Sequence, residues 1–266
     1  MRRISLLLLS ILLLLSACTK DVPFTELPVE GAVCLPYSPE GQVVYDAEWT
    51  GDFPDIEVYD KTYATITFGM GCFWGPAAHF AVVDGVLRTR VGYAGGDSTT
   101  PSYDDLGNHI EVFEVDYDPD LLSYEDMVHL YFQFYDATAR PFSQRVTPVI
   151  YYRNAAEQVI AEDVKLSIEN SSEKGIFTVI RPLEVFYLAE EKHQLSYLKQ
   201  ESSLYKEIRE IFIEDDALLL SILASKLNGF IAGYGSETDL TYVLKGSGLS
   251  DASLDRLKTI LSNRVQ

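Results

Sequence analysis

Cysteine, histidine and positive charge are scarce in this chain, and each scarcity closes off a class of function. Its 266 residues hold three cysteines, Cys18, Cys34 and Cys72, and four histidines. A structural zinc site draws several Cys or His ligands into register. His79, His129 and His193 are not spaced that way, so no metal is expected. A cysteine hydrolase needs a histidine base and an orienting partner for its thiol, and nothing in the sequence pairs such groups with Cys72. Against 40 acidic residues stand 21 Lys and Arg, a net charge of −19. A surface of that sign repels nucleic acid and anionic membrane. Internal repeats and low-complexity tracts are lacking too. The long apolar run, Ile4 to Leu15, falls short of the roughly twenty residues of a membrane span.

That run follows the charged start Met1-Arg2-Arg3 and ends in Leu15-Ser16-Ala17-Cys18. Small residues after a short apolar segment mark a cleavable export signal, and this one resembles the lipobox of bacterial lipoproteins. The resemblance implies a signal peptide over 1–17 and lipid on Cys18. The protein would then be exported and anchored to a membrane, facing the periplasm or the cell exterior. Losing Arg2 and Arg3 with the signal leaves 19 basic against 40 acidic residues, a net charge of −21. Residues 18–61, with Pro23, Pro28, Pro36, Pro39 and Pro54, read as a tether with turns. With Cys18 lipidated, Cys34 and Cys72 remain, free to pair in an oxidising compartment.

The chemistry centres on Phe68-Gly69-Met70-Gly71-Cys72-Phe73-Trp74-Gly75. Tyr63 to Phe68 reads as a strand, and Pro76 to Asp84 as a helix closed by Gly85. Cys72 thus stands at a strand-to-helix junction, where free backbone N–H groups and the helix dipole favour thiolate and lower the thiol pKa. The other use of such a cysteine is as a small buried hydrophobe. His109 to Tyr117 alternates with period two, placing Glu111, Phe113, Val115 and Tyr117 on one face. On that apolar face desolvation raises a carboxyl pKa, which suits Glu111 to act as a general acid. An exposed acid at a strand end is the alternative.

The rest of the chain interleaves strands and helices. Gly85 to Ala94 reads as a strand, Ser123 caps a helix to about Tyr135, and Val146 to Tyr152 reads as a strand. Asn154 caps a helix to about Glu169, and Thr178 to Tyr187 reads as one further strand. Beyond Lys199 three helices are expected: Ser203 to Phe212, Ala217 to Asn228 and Ser250 to Ser262. Gly233-Tyr234-Gly235 and Gly246-Ser247-Gly248 break them. The expected organisation is a catalytic domain over 62–200 and a helical C-terminal extension over 201–266.

Several pieces occur in a telling order: Gly-Cys-Phe-Trp-Gly at 71–75, Gly-Tyr-Ala-Gly-Gly at 92–96, Pro-Ser-Tyr at 101–103 and Gly-Asn-His-Ile-Glu at 107–111. Tyr-Asp-Pro at 117–119, Ser-Tyr-Glu-Asp at 123–126 and Phe-Tyr-Leu-Ala-Glu-Glu-Lys-His-Gln at 186–194 follow. From about Thr65 to Lys199 the chain resembles the peptide methionine sulfoxide reductase A family. The resemblance implies an α+β fold, a two-layer sandwich around a ferredoxin-like plait. It implies reduction of the S epimer of methionine sulfoxide, free or in proteins. Cys72 would attack the sulfoxide sulfur, Glu111 would protonate its oxygen and Tyr103 would hydrogen-bond that oxygen. Phe73 and Trp74 would form the pocket for the substrate methyl group, and His109 belongs to the Glu111 motif as a candidate to orient that acid. No cofactor is implied. The reductant would be an external thiol such as thioredoxin or dithiothreitol, the partners oxidised proteins, and the protein a monomer.

Some positions depart from the family pattern. Val146 stands where a second oxygen-binding tyrosine is usual, with Tyr151 or Tyr152 as candidate substitutes. Pro141 falls near a usual aspartate, and Lys192 replaces a tyrosine. No cysteine follows Cys72, which leaves Cys34 as the candidate resolving residue. A weakened family member that serves as a binding module for oxidised, methionine-rich partners is therefore the alternative function.

Overall fold

The computed structural model describes residues 62–263 apart from 173 and 246. The expected signal peptide, Cys18, the tether and Cys34 lie outside the described residues. Among those described, no helix is long and apolar enough to cross a membrane.

The core is a βαββαβ unit. It runs β1 (Ala64–Gly69), α1 (Trp74–Ala81), β2 (Val86–Ala94), β3 (Ile110–Tyr117), α2 (Tyr124–Phe134) and β4 (Val149–Tyr152). The strands stand in the order β4-β1-β3-β2, antiparallel throughout. This is the expected ferredoxin-like plait. One face of the sheet carries both helices. Phe68 of β1 meets Phe80 of α1 at 5.4 Å, Tyr131 of α2 at 5.1 Å and Phe113 of β3 at 6.0 Å between ring centres. Local rules place the helix starts: the Ser123 side chain and Asp126 form a capping box on α2. Asn154 accepts the Glu157 N–H at the start of α3 (Ala155–Ser171).

β3 is buried along its whole length, so its alternation separates two packed faces rather than core from solvent. Glu111, Phe113, Val115 and Tyr117 share the helix side, as expected. Glu114 and Asp116 on the opposite side are held by two arginines of β2 and by Arg153, just past β4. Arg88 Nε donates to Asp116 at 2.8 Å, Arg90 bonds Glu114 and Asp116, and Arg153 Nη2 donates to Glu114 at 2.8 Å. Buried carboxylates are tolerated there because each is paired and hydrogen-bonded.

Two expectations change. Thr178 to Tyr187 forms two short strands, not one. β5 (Val179–Pro182) runs parallel to β4, and β6 (Phe186–Leu188) runs antiparallel to β2, at opposite margins of the sheet. In a flat sheet these margins would lie roughly 24 Å apart at about 4.8 Å per strand. The four residue steps from Pro182 to Phe186 reach at most about 14 Å. The sheet is therefore strongly coiled, in the sense that strand twist favours, and Phe186 and Leu183 pack together against Val112, Val149 and Tyr151. The second change is that the expected strand from Val146 starts only at Val149. Gln144–Val146 is a single 3₁₀ turn.

The expected C-terminal helices begin at Ser196 and pack back against α1. They are α4 (Ser196–Gln200), α5 (Ser202–Ile211), α6 (Asp215–Leu220), α7 (Ile222–Ala232), α8 (Glu237–Leu244) and α9 (Asp251–Ser262). The expected helix over 217–228 is broken at Ser221, whose side chain caps α7, and α8 lies where only a glycine break was expected. Every residue of α7 from Leu223 to Ala232 is buried. Ser225 Oγ accepts the Thr89 N–H at 3.0 Å, Lys226 Nζ donates to the Val83 carbonyl at 2.9 Å, and Asn228 Oδ1 accepts the Tyr197 and Leu198 N–H groups. At Gly229 an added Cβ would lie 2.5 Å from the Ala78 carbonyl oxygen, so α1 and α7 touch backbone to backbone. α7 thus extends the helical layer beside α1.

Candidate active site

Cys72 sits between β1 and α1. Gly71 before it has φ +87°, a conformation glycine adopts freely. That turn lifts the cysteine out of the sheet, and Cys72 is exposed. Among the described residues it is the only cysteine. Its thiol is nonetheless pushed up from its ordinary value. Desolvation by the surrounding walls acts most strongly, the Trp74 backbone N–H opposes it, the Glu111 charge adds to it, and the Arg145 charge opposes it. The expected helix-terminus effect is present through Trp74, but burial outweighs it.

Glu111, the second residue of β3, lies beneath this turn and is 3% exposed. Its Oε2 accepts the Phe73 N–H at 3.3 Å, and its Oε1 is ion-paired with Arg145 Nε. The expectation of a carboxyl group among apolar neighbours alone is not met, because a guanidinium reaches it from the 3₁₀ turn. Arg145 Nη1 also donates to the Tyr103 carbonyl at 3.0 Å, and its guanidinium lies 3.8 Å from the centre of the Tyr103 ring. Its Nη2 is buried without a hydrogen-bond partner.

An aromatic wall surrounds these groups. Phe73, fully buried, faces Trp74 at 6.4 Å, Tyr93 at 6.0 Å, Tyr103 at 6.4 Å and His193 at 5.6 Å. His193 stacks closer on Tyr103, at 4.4 Å. Phe73 is thus the floor of the wall, while Trp74 and Tyr103, both half-buried, line its open side. Lys192 Nζ lies 5.9 Å from the Tyr103 ring centre.

Glu190 fixes the wall from behind. It accepts the Tyr103 N–H at 3.0 Å and the Tyr93 hydroxyl at 2.7 Å. Burial acts to raise its pKa, but these hydrogen bonds and the His193 charge override it and hold the carboxyl at about 2. Burial and the Glu190 bond push the Tyr93 hydroxyl up, and burial pulls His193 down. The Gln194 amide clasps β2 through Val91 N–H and C=O at 3.0 and 2.8 Å and so holds the His193 segment in place.

The structure thus brings together Cys72, Phe73, Trp74, Tyr103 and Glu111. It also adds Tyr93, Arg145, Glu190 and His193, which the sequence reading assigned no role. Tyr93 and His193 lay inside motifs that signalled them; Arg145 carried no signal, because its reach depends on the 3₁₀ turn. His109 does not orient Glu111. Its Nδ1 accepts the Gly96 N–H at 3.1 Å and its Nε2 lies 2.8 Å from the Ser98 carbonyl, so it clamps the loop after β2. Tyr151 does not replace the missing tyrosine: it packs with Ala94, Ile110 and Val112 on the opposite face of the sheet. Among the described residues, no three His, Cys, Asp or Glu side chains are grouped to hold a metal ion.

Residues 64–219 match the family described as peptide methionine sulfoxide reductase. The chain is 38% identical over 176 residues to the peptide methionine sulfoxide reductase of Drosophila melanogaster, covering 65% of this chain and 70% of that protein. It is likewise 38% identical over 149 residues to MsrA of Methanothermobacter thermautotrophicus, covering 52% of this chain and 88% of that protein. The solved structure of methionine sulfoxide reductase A of Corynebacterium diphtheriae is similar with a TM-score of 0.45 and 28% identity, over 52% of this chain and 74% of that one. On the sequence match and the residues gathered around Cys72, the chain belongs to the peptide methionine sulfoxide reductase family and is a peptide-methionine (S)-S-oxide reductase.

Proposed function

We propose that this reductase repairs oxidised methionines in exported proteins, held to a membrane by lipid on Cys18 and recharged by an external thiol. What supports the chemistry is one observation: an exposed thiol beside a buried carboxyl that is tied to the same turn through the Phe73 N–H. A sulfoxide is a poor electrophile until its oxygen is protonated or strongly hydrogen-bonded. Trp74 and Tyr103 receive the methyl side of the substrate over Phe73, and Cys72 attacks the sulfur. Oxygen passes to Cys72 as a hydroxyl group while methionine leaves, so the cysteine sulfur gives up two electrons and becomes a sulfenic acid. A thioredoxin-type dithiol then reduces the sulfenic acid and releases water, directly or after Cys34 has formed a disulfide with Cys72.

Export is supported by the charged start, the short apolar run and the small residues before Cys18. Thr19–Gln266, supplied with a peptide carrying S-methionine sulfoxide and dithiothreitol, is expected to turn over, and Cys72→Ser to be inactive. With thioredoxin as reductant, Cys34→Ser separates direct reduction from resolution through Cys34. A parent chain that binds the peptide without turnover sinks this reading in favour of the binding module. Labelling with palmitate in a bacterial host tests the anchor, and Cys18→Ala is expected to abolish the label.

A further inference from the structure

Glu111 and Tyr103 have to serve one sulfoxide oxygen, yet they come from different elements, Glu111 from β3 and Tyr103 from the loop before it. Arg145 joins them. Its Nε is ion-paired with Glu111 Oε1, its Nη1 donates to the Tyr103 carbonyl at 3.0 Å, and its guanidinium carbon lies 3.8 Å from the centre of the Tyr103 ring. Tyr103 is thereby held at both ends of its backbone, its N–H by Glu190 and its C=O by Arg145. Such a bridge uses the planar fork that arginine offers and lysine does not. Nη2 is enclosed, so Arg145 works through the groups it holds and not on a substrate atom. Glu111 also accepts the Phe73 N–H, and Cys72, Tyr93 and His193 lie near enough to feel its charge. Tyr93 and the lowered His193 are neutral at pH 7, so among these neighbours the standing positive charge is that of Arg145.

We propose that Arg145 is a positioning residue that yokes Glu111 to Tyr103 and keeps Glu111 a carboxylate until Cys72 reacts. The inference rests on the reading of Cys72 as nucleophile. In that step an Sγ–O bond forms and the sulfoxide S–O bond breaks, and two electrons pass from the cysteine sulfur to the methionine sulfur. Thiol and sulfoxide become sulfenic acid and thioether. The thiol proton ends on the transferred oxygen, so none is drawn from solution. A carboxylate, unlike a carboxylic acid, can take up that proton as Sγ attacks and return it to the oxygen. Arg145 maintains this form through its charge. Through its fork it keeps the carboxyl group in register with Tyr103, and catalysis depends steeply on such alignment.

The test reads the pH dependence of the Cys72 step, which a merely structural role would leave in place. Methionine formed from a peptide carrying S-methionine sulfoxide is measured in a single turnover, without added reductant, over the pH range in which the chain stays folded. Arg145→Met is expected to lower the rate at neutral pH by about 10- to 100-fold. It is also expected to move the acid-side midpoint of the pH–rate profile up by about 1–3 pH units, the effect that an adjacent guanidinium has on a carboxyl group. Arg145→Lys keeps the charge without the fork, so it is expected to hold the midpoint near that of the native chain while losing part of the rate. In a Glu111→Gln chain, adding Arg145→Met is expected to cost little more, because the two residues act as one unit. Thermal unfolding shows that each variant is folded, and Arg145→Gln, which keeps a donor without the charge, replaces Arg145→Met if that variant is not. With an active parent chain, a midpoint unmoved by loss of the charge, or an equal loss of rate with and without Glu111, overturns the role of Arg145 alone. A parent chain that forms no methionine overturns the reading of Cys72, and this role with it.

Discussion

Replacing Gly229 with alanine sets two effects against each other, and the structure decides between them. Inside an exposed helix this change adds about 1 kcal/mol of stability through helix propensity. Here the new Cβ meets the Ala78 carbonyl oxygen and Val82 Cγ1, each at 2.5 Å. Ordinary non-bonded contact begins near ~3.5 Å, so something must move by about 1 Å. Val82 can rotate, but Ala78 O is backbone. The movement therefore falls on α1 as a whole. Overpacking of this kind costs about 1–3 kcal/mol, and a clash with rigid backbone lies in the upper part of that range. The net expectation is a loss of about 1–2 kcal/mol, which is a fall in Tm of roughly 2–8 °C for a body of this size. Because α1 begins at Trp74, two residues after Cys72, the displacement also reaches the nucleophile. A misplacement near 1 Å can cost up to ~10²-fold in rate, so turnover is expected to fall together with Tm. Calorimetric unfolding and turnover of the sulfoxide peptide measure both. A Tm that rises by a few degrees, as propensity alone requires, would refute the claim of backbone contact between α1 and α7.

Three further expectations follow from other parts of the molecule. Ending the chain at Gln200 removes the Ser225 hydroxyl from the Thr89 N–H and uncovers the buried face of α1. The shortened chain is expected to be largely unfolded by circular dichroism rather than an autonomous reductase, and a cooperative melt near that of the full chain would contradict this. Glu114→Ala leaves Arg90 and Arg153 without a carboxylate they share. The loss is expected to be about 2–3 kcal/mol, below the 3–5 of a fully buried pair because both arginines are part-exposed, and is read from urea unfolding. His79 is stacked between Phe134 at 3.8 Å and Tyr234 at 4.2 Å, and burial lowers its pKa to about 4. The unfolded chain takes up that proton at about 6.5, so from there towards pH 4 the unfolded state holds more protons and stability falls with pH. His79→Phe is expected to flatten this part of the stability profile, and an unchanged slope would remove His79 as its cause.

Local rules made much of the fold legible. The glycines around Cys72, the Ser123–Asp126 capping box and the Asn154 cap act over three or four residues, so their meaning is carried by spacing alone. The central alternation of β3 was legible as well, but what lies on its second face was not. Glu114 and Asp116 look like a solvent face until Arg88 and Arg90 arrive from β2 and Arg153 from just past β4. Thr178 to Tyr187 reads as one strand because nothing local marks the coil of the sheet that carries the chain from one margin to the other. The burial of α7 was hidden too. Lys226 and Asn228 sit in it as polar residues, and their partners, Val83 and the start of α4, are distant in sequence. In the site, Cys72 and Glu111 were found from their own neighbours. Arg145 was not, since only the folded turn at 144–146 aims it at a carboxyl group 34 residues away.

The two outermost strands, β5 and β6, have a consequence for how this protein meets its substrates. A reductase of oxidised polypeptides works among chains that have lost part of their native packing and seek backbone partners. A long, flat strand with free amides would let such a chain join the enzyme as an added strand and stay there. Here one rim strand is four residues long and closes with Pro182, which has no amide hydrogen to offer, and the other is three residues long. Coiling also brings the two rims towards each other instead of laying them open. The fold thus offers a partly unfolded chain little strand edge to join.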